Sequence, residues 1–552
     1  MGSGHQQAAA GRAIAQLARY NPGKPGPGGI AMTWEPEIEE MRRRAALAHE
    51  MGGPENVKRQ HDGGKLTVRE RIDGLLDPGS FAETGELAGA ARYDDQGNLV
   101  EFRPGNFVMG FGRIDGRRVV VGGDDFTVRG GAADASIGGK QVYAEKMARE
   151  LRMPIIRLVD GTGGGGSVRT QGTQGLQGHT YIPANPGWDT VVQMLAEVPV
   201  IAAAMGSVAG LGAARVVTSH WSIMVKDSSQ VFVAGPPVVA AGMGEEVAKE
   251  DLGGADIHYH NGVVDNLAED EADAFRQIRR FLSYLPSNVW EQPARREPDD
   301  DPARRDDWLI EAIPRNRRRP YKVRQVLDAV LDRGSFFEIG GGWGQSVVTG
   351  LARLDGFPVG VVSNDPYFYG GGLTAQGSEK LARFVDLCDT FHLPCVNFLD
   401  QPGFVIGTWG EKAATIRKGA SAMAAVFQAS VPWVTIVMRR AYGVAGAAHA
   451  NTGRLNLRYA WPSGDWGSLP LEGGIEAAYK RDLAAAEDPD ALRAELMERL
   501  GAVRSPLRTA AAFGVEHMID PRETRAILCE WVHQAYRIEA AQPGPRARGY
   551  RP

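Results

Sequence analysis

At 552 residues the chain is too long for one ordinary hydrophobic core, and its length predicts two domains of about 200 to 250 residues each. Its net charge of only −5 excludes the strongly basic classes of protein that bind nucleic acid or an anionic membrane surface. Three cysteines in so long a chain argue against a disulfide framework and favour the cytoplasm. The sequence shows neither a metal-type Cys/His spacing nor an apolar run long enough to span a membrane.

The chain begins with a stretch that we expect to lie outside the fold. Residues 1–35 contain a Gly-Ser-Gly segment and a proline- and glycine-rich segment ahead of a second methionine, Met32, and predict a flexible leader. Helices are then predicted at residues 36–50 and 65–76, the second closed by a Pro-Gly stop. Residues 110–121 predict two strands joined by a tight Asp-Gly turn.

The sequence repeats itself at the scale of a domain. Residues 66–83 and 321–338 are identical at 9 of 18 aligned positions, where unrelated segments share about one. Later matches pair the Asp-Gly turns at 115–116 and 355–356, the helical dipeptides Glu145-Lys146 and Glu379-Lys380, and the strands that end at Asp160 and Asp400. We therefore predict a first domain at residues 36–292, a charged, proline-rich linker at 293–316 and a second domain at 317–552.

One part of the repeat predicts chemistry. A buried strand at residues 198–205 is followed by a glycine turn and a helix start, which we name the first amide site: Gly210, Leu211 and Gly212. The pattern recurs 233 positions later as the second amide site: Gly443, Val444 and Ala445. Helix starts of this kind direct backbone N–H groups at one point, where they stabilise a negatively charged oxygen. The alternative is that both are ordinary helix starts packed on strands.

Strands separated by helices in both halves indicate an α/β fold, similar to the ββα spiral of the crotonase superfamily and duplicated in tandem. In their order along the chain, a series of segments resembles the carboxyltransferase (β) subunits of biotin-dependent acyl-CoA carboxylases, the propionyl-CoA and methylcrotonyl-CoA carboxylase group. The segments are GKLTVRER at 64–71, DFTVRGG at 125–131, FVAGPP at 232–237, GEEV at 244–247, DLGGA at 251–255, LSYLPSN at 282–288, SEK at 378–380, DQPGF at 400–404 and YAWP at 459–462.

The resemblance implies an enzyme that moves a carboxyl group from carboxybiotin to the α-carbon of an acyl-CoA through an enolate. It implies that the first amide site holds the thioester oxygen of acyl-CoA and that the second holds the biotin carbonyl. It also implies a homo-hexamer, a trimer of dimers in which the first domain of one subunit faces the second domain of another. No biotinylation motif or ATP-binding segment is visible, so we expect a partner α subunit to supply biotin carboxylase and the biotin carrier, with no metal in this subunit.

The chain departs from the family at several positions. Leu211 and Val444 stand where propionyl-type enzymes have glycine, and Ala447 stands where they have an aspartate that selects the acyl group. The glycine-rich segment at 160–169 replaces a shorter family motif; we expect its Gly163 and Gly164 to lie near the thioester, and the alternative is a flexible surface turn. Trp461, Trp466 and His449 are candidate walls of the biotin or acyl channel, with core packing as the alternative.

Two other functions stay open from the sequence. The first is a decarboxylase of the same fold, which passes the carboxyl group of a malonyl-type CoA to biotin in a sodium-pumping complex. The second is a non-catalytic scaffold that has lost activity through the changes at Leu211 and Val444.

Overall fold

The computed structural model describes residues 33–132, 135–161, 182, 184 and 187–552. Most of the predicted leader, together with Gly163 and Gly164, lies outside these residues. No helix among the described residues is both long and apolar enough to cross a membrane.

The first half of the chain is built on one mixed sheet, with strand order β1-β4-β5-β6-β7-β8-β10 and β9 paired to β7. Its strands are β1 (Ala82–Glu83), β4 (Phe107–Ile114), β5 (Arg117–Asp124), β6 (Ile155–Gly161), β7 (Val200–Ala209), β8 (Trp221–Val225), β9 (Gln230–Phe232) and β10 (Asn266–Ala268), and β2 (Gly89–Tyr93) and β3 (Leu99–Pro104) form a separate hairpin. Its helices are α1 (Glu35–His49), α2 (Pro54–Asp62), α3 (Val68–Leu75), α4 (Lys140–Glu150), α5 (Trp188–Met194), α6 (Leu211–Val217), α7 (Pro236–Met243), α8 (Lys249–Gly253), α9 (Ala255–Asn261) and α10 (Glu271–Leu282).

The second half repeats this sheet, with strand order β11-β12-β13-β14-β15-β16-β18 and β17 paired to β15. Its strands are β11 (Phe337–Ile339), β12 (Val347–Leu354), β13 (Phe357–Asn364), β14 (Cys395–Gln401), β15 (Trp433–Tyr442), β16 (Leu457–Ala460), β17 (Asp465–Gly467) and β18 (His517–Met518). Its helices are α11 (Val323–Val330), α12 (Ala375–Thr390), α13 (Thr408–Lys412), α14 (Thr415–Gln428), α15 (Gly443–Ala447), α16 (Leu471–Ala478), α17 (Lys480–Ala485), α18 (Pro489–Val503), α19 (Pro506–Ala511) and α20 (Thr524–Glu539).

The two sheets have the same topology, as the internal repeat predicts. In each, an antiparallel hairpin leads into a parallel series: β4 pairs antiparallel with β5, and β5, β6 and β7 are parallel, as are β13, β14 and β15. The apolar, β-branched runs of β6 and β14 are buried along their whole length, which is the pattern of strands covered on both faces.

One residue match that the sequence predicts between the two halves, Lys146 with Lys380, is wrong by six residues. The C-caps of α4 and α12 are Leu151 and Phe391, which lie 240 positions apart. The counterpart of Lys380 is therefore Lys140 and not Lys146. The contacts agree, because Lys140 Nζ donates to the carbonyl of Gly85 and Lys380 Nζ donates to that of Gly340, each at 3.0 Å. The strands before and after this helix keep the same offset of 240, so no insertion separates the halves here and the Glu-Lys match was a chance identity of two residues.

The two halves share one hydrophobic cluster. Trp221 stacks on Phe281 with ring centres 5.1 Å apart, and Phe337 of the second half packs against Trp221 at 5.8 Å. The predicted linker is irregular apart from one short 3₁₀ turn (Asp307–Ile310), and it is tied to the second half by Arg304, which donates to the carbonyls of Ala329 and Leu331. The domain limits at 292 and 317 stay predictions.

Candidate active site

The first amide site lies at the carboxyl end of β7, where the chain turns into α6. Gly210 makes this turn with φ 62° and ψ −122°, a conformation that favours glycine. Its own N–H donates to the carbonyl of Phe232 at 3.2 Å, so Gly210 is not available as a donor to a ligand. The N–H groups of Leu211 and Gly212 lie in the first turn of α6, where the helix supplies no acceptor. Of the three predicted residues, these two remain as donors.

The second amide site has the same form at the carboxyl end of β15, which continues directly into α15. Gly443 makes the turn with φ 60°, which matches Gly210. The N–H groups of Gly443, Val444 and Ala445 open the helix and have no acceptor within it. The N–H of Ala448 closes the turn by donating to the carbonyls of Val444 and Ala445, both at 3.2 Å.

Leu211 and Val444 occupy equivalent positions in the two sites. Their side chains are 46% and 55% exposed, and Ala447, one turn beyond Val444, is exposed as well. These side chains therefore project from the surface of each site, while the main chain keeps its helical start.

A buried carboxylate lies in the strand next to each amide site. Asp160 in β6 and Asp400 in β14 both stand where the pairing with the following strand shifts its register, and both are completely buried. A buried carboxylate is stable only when cations or hydrogen-bond donors compensate it. Arginine side chains do so in both halves, and we name these two groups the first and second carboxylate clusters.

In the first carboxylate cluster, Arg71 of α3 binds Asp160 Oδ2 through Nη1 at 2.8 Å. The same guanidinium donates through Nη2 to the carbonyl of Met205 at 3.1 Å and pairs with Glu271 at 2.8 Å. Lys65 Nζ lies 3.5 Å from Asp160 Oδ2. Arg71 thus connects α3 and α10 to β6 and to the part of β7 that leads to Gly210.

In the second carboxylate cluster, the arginines belong to β15 itself. Arg440 Nε binds Asp400 Oδ1 at 2.7 Å, and Arg439 Nη2 binds Oδ2 at 2.8 Å. Burial opposes the charge of Asp400, but the hydrogen bonds and charges of Arg440 and Arg439 hold its pKa below its ordinary value. Arg440 Nη2 also donates to the carbonyl of Gly370 at 2.6 Å. The Arg440 side chain therefore joins β15, just ahead of Gly443, to β14 and to the segment at Gly370.

The cation that binds the aspartate comes from a different position of the repeat in each cluster. Arg439 stands 233 positions after Gly206, and a Cβ at Gly206 would lie 2.1 Å from Asp160 Oδ1. In the first half the cation comes from Arg71 instead, whose equivalent in the second half is Val326. Neither cluster was predicted from the sequence, although the aspartates Asp160 and Asp400, which end equivalent strands of the repeat, were a signal for both.

The other candidate residues have different roles. Trp461 is fully buried in the core, and its Nε1 donates to Thr524, so it does not line a channel. Trp466 is half-buried and donates to Thr509 at 3.1 Å. His449 Nδ1 lies 2.7 Å from the carbonyl of Gly446, next to the second amide site, and burial lowers its pKa.

One group among the described residues has the composition and closeness of a metal site. Ligand atoms of His49, Glu83 and Glu86 lie within 4.8 Å of one another. Glu83 is already paired with Arg69 at 2.7 Å, and His49 with Glu86 at 2.7 Å. These ion pairs account for the group, and no part of the site described above depends on it.

Comparison with known proteins decides the family. The profile of the carboxyl transferase domain family matches residues 59–549. The chain belongs to this family. It is 39% identical over 508 residues to the propionyl-CoA carboxylase carboxyltransferase subunit of Haloferax mediterranei, covering 90% of this chain and 95% of that protein. It is 34% identical over 496 residues to the methylmalonyl-CoA decarboxylase subunit alpha of Veillonella parvula, covering 89% and 94%.

A solved member of the carboxyl transferase family has the same fold. The hexameric transcarboxylase 12S, with methylmalonyl-coenzyme A and methylmalonic acid bound, superposes with a TM-score of 0.81 at 30% identity, over 96% of this chain and 99% of that one. The predicted α/β fold of two similar halves is confirmed, and so is the predicted class of enzyme, a biotin-dependent carboxyltransferase of the acyl-CoA carboxylase type.

Proposed function

We propose that this chain transfers a carboxyl group from carboxybiotin, carried by a partner protein, to the α-carbon of a short-chain acyl-CoA. The observation that carries the proposal is the duplicated arrangement of a glycine turn, helical first-turn amides and an arginine-bound aspartate at the carboxyl ends of β7 and β15. Two sites of one design suit a reaction in which two carbonyl oxygens become negatively charged in turn.

At the first amide site, the N–H groups of Leu211 and Gly212 bind the thioester oxygen of acyl-CoA. Loss of the α-proton places negative charge on this oxygen, and donors that are already fixed by the helix stabilise the charge without reorganisation. Arg71 keeps these donors in place through its bonds to Asp160 and Met205. Gly163 and Gly164, which lie outside the described residues, stay proposed neighbours of the thioester.

At the second amide site, the N–H groups of Gly443, Val444 and Ala445 bind the carbonyl oxygen of biotin. When bound, biotin supplies the carboxyl group and the base that removes the α-proton. This assignment fits the residues present, because backbone N–H donors suit a ureido oxygen that gains negative charge. It also agrees with the lack of a Ser-His-Asp or paired-carboxylate arrangement in the sequence.

We infer that the acyl group is small. The named relatives act on propionyl-CoA or methylmalonyl-CoA, and Leu211 occupies space at the first amide site that a glycine would leave open. Ala447 carries no charge, so it does not select the acyl group as an aspartate at this position would.

We also propose a hexamer whose subunits meet at the amide sites. Helix α7 follows β9, the strand whose Phe232 carbonyl accepts the N–H of Gly210. The helix is wholly apolar and has no buried residue, and Val233 just before it is 98% exposed. In the second half, Tyr369 stacks on Trp409 at the surface, and Ile406 is 88% exposed. Exposed apolar surface of this kind marks an interface. The transcarboxylase 12S forms a hexamer.

The partner that we propose is a biotin carboxylase subunit with a biotin carrier domain. We place the complex in the cytoplasm, because all three cysteines are free thiols, which is typical of a reducing compartment.

A second candidate function is decarboxylation of a malonyl-type CoA with biotin as the acceptor. The relative from Veillonella parvula favours it, since that protein is a methylmalonyl-CoA decarboxylase subunit of nearly the same length. Both reactions use the same two amide sites in opposite directions. A dependence of turnover on sodium ions, measured in the complete complex, identifies the decarboxylase.

The proposal is tested with the purified chain and its biotinylated partner. ATP, bicarbonate and either propionyl-CoA or acetyl-CoA should give the carboxylated thioester, whereas the chain alone should give none. If the complete complex carboxylates no acyl-CoA and the chain binds no acyl-CoA by calorimetry, the proposal is wrong and the scaffold is correct.

A further inference from the structure

A polar cavity of about 470 Å³ lies where the two halves of the chain meet. It is formed by the Asp-Gly turns of both hairpins, the carboxyl end of α10, the segment after α11 and the predicted linker. Strands β5 and β13 run away from these turns, parallel to the strands that carry the amide sites. The cavity therefore lies at the end of the parallel strands opposite to the end that carries the amide sites.

Arg353 is a buried cation in the wall of this cavity, and it has no carboxylate partner among the described residues. Its guanidinium donates to three main-chain carbonyls: Gly356 at 2.8 Å, Ser283 at 2.7 Å and Ala294 at 3.3 Å. Burial, and then the charge of Arg296, lower the pKa of Arg353 to about 10. The Tyr284 ring, whose centre lies 5.0 Å from Arg353 Cζ, and the charge of Asp332 offset this effect only in part. A buried charge without a paired carboxylate is costly, and a neighbouring cation adds to the cost.

The equivalent arginine of the first half shows the contrast. Arg113 stands 240 positions earlier and makes the same bond to its own hairpin, from Nη1 to the carbonyl of Gly116 at 2.9 Å. Arg113 is exposed, however, so water compensates its charge. Only the second copy has been enclosed, by the end of α10 and the linker.

Two more arginines face the cavity without a carboxylate partner in the part of the chain that is described. Arg280 donates to the carbonyls of Gly334 and Phe336 at 2.8 and 2.9 Å. Arg296, on the linker, is exposed and makes no side-chain hydrogen bond or ion pair with any described residue. Together with Arg353, they place three guanidinium groups around one space.

The other charged groups of the cavity divide into paired and unpaired ones. Asp115 is paired with Arg279 at 3.0 Å, Asp332 with Arg525 at 2.9 Å, and Arg333 lies 3.6 Å from Asp306. Glu297 and Asp299 are exposed on the linker and form no ion pair within the described residues. A ligand must therefore tolerate two carboxylates at the rim, which weaken the attraction for anions and restrict it to groups that bind guanidinium strongly.

We propose that Arg280, Arg296 and Arg353 bind a phosphate or diphosphate group in this cavity. Guanidinium groups bind phosphate oxygens in pairs of parallel hydrogen bonds, and the group supplies the negative charge that Arg353 lacks. The volume is in the range of ligand pockets. The group could belong to an inorganic anion or to a nucleotide, and the two sources share this chemistry.

The proposal is tested by calorimetric titration of the full chain with inorganic phosphate, inorganic pyrophosphate and ATP, without acyl-CoA or biotin. We expect saturable binding of pyrophosphate that weakens about tenfold or more in Arg296→Gln, since one charge-assisted contact is lost. Arg296 is exposed, so this variant should fold normally. Arg113→Gln is the matched control and should bind as the wild type does. Glu297→Gln should tighten binding.

Each outcome is decisive. Binding of pyrophosphate and phosphate supports a site for the inorganic anion, and binding of ATP alone supports a nucleotide site. If none of the three probes saturates, or if Arg296→Gln and Arg113→Gln bind equally well, the proposal is overturned. Because the titration involves neither acyl-CoA nor biotin, its failure leaves the proposed carboxyl transfer untouched.

Discussion

At the scale of single residues, position 211 separates the role of the main chain from that of the side chain. In the proposed reaction Leu211 donates to the thioester oxygen through its backbone N–H, while its side chain is exposed at the same site. Leu211→Gly keeps the N–H and should leave kcat/KM for propionyl-CoA within about threefold, but it should raise kcat/KM for longer acyl-CoAs because the site becomes wider.

This prediction is checked by kcat/KM across an acyl-CoA series with the complete complex. Val444→Gly is the matched control, since it makes the same change at the second amide site and should leave the acyl preference unaltered. A shift in acyl preference in Val444→Gly, with none in Leu211→Gly, would mean that the two sites have been assigned the wrong way round.

Lys380 predicts a pH dependence of stability. It is buried, donates to the carbonyls of Gly340 and Trp343, and burial lowers its pKa from 10.5 to about 7. Between pH 7 and about 10.5 the unfolded chain therefore binds more protons at this residue than the folded chain does. The free energy of unfolding should rise with pH across this window, and Lys380 should contribute no slope below it.

The contribution is measured by urea unfolding at pH values from 6 to 10.5. Lys380→Met should have a shallower rise than the wild type above pH 7, whereas Lys226→Met, at an exposed ion pair, should keep the wild-type slope. Equal slopes in all three proteins would show that Lys380 titrates normally in the folded state.

At the scale of the elements, the carboxylate clusters hold each amide site to its neighbouring strands. Asp400→Asn leaves the buried Arg439 and the partly buried Arg440 without a full counter-charge, so it should lower the free energy of unfolding by about 3 to 5 kcal/mol. Asp490→Asn, in an exposed pair with Arg493, should leave the free energy of unfolding nearly unchanged, because solvent screens the pair. Chemical unfolding measures both, and equal losses would contradict the role of the cluster.

Sequence reasoning predicted the elements that depend on local pattern. The sequence predicted β7, β15 and the glycine turns after them, because one short stretch contains the whole pattern of each. The internal repeat supported the prediction, since the same pattern occurs in both halves. Contacts between distant residues were not readable. Arg71 and Asp160 are far apart in the sequence, and the second half places its cation at Arg439 instead, so no shared spacing exists.

Other differences have equally local causes. The Glu-Lys dipeptides were matched because two adjacent residues are identical, although the strands on both sides of α4 and α12 keep an offset of 240 that excludes this match. Gly210 was counted as a donor because sequence does not show that the carbonyl of Phe232 in β9 accepts its N–H.

At the scale of the whole molecule, the amide sites lie next to apolar surface that one subunit leaves exposed. Met243→Glu or Val233→Asp places a charge on that surface and should dissociate the proposed hexamer, because burying an unpaired carboxylate at an interface is unfavourable. Light scattering should show smaller particles with an unchanged far-ultraviolet spectrum. Val100→Asp, at a half-exposed position of the β2–β3 hairpin, should leave the assembly intact. Intact hexamers in all three variants would place the interface elsewhere.

The central claim is that backbone N–H groups at two duplicated turns carry the catalysis. Proline in the first turn of a helix removes an N–H that the helix does not use. Leu211 is the first residue of α6 and Val444 the second of α15, so Leu211→Pro and Val444→Pro delete one donor from each site. The decisive measurement is kcat for carboxylation by both variants in the complete complex, with Leu211→Ala and Val444→Ala as controls. We predict a loss of about 10² to 10³ in kcat for each proline variant and a small change for each alanine variant. Proline variants that fold and turn over as fast as their alanine controls would contradict the account.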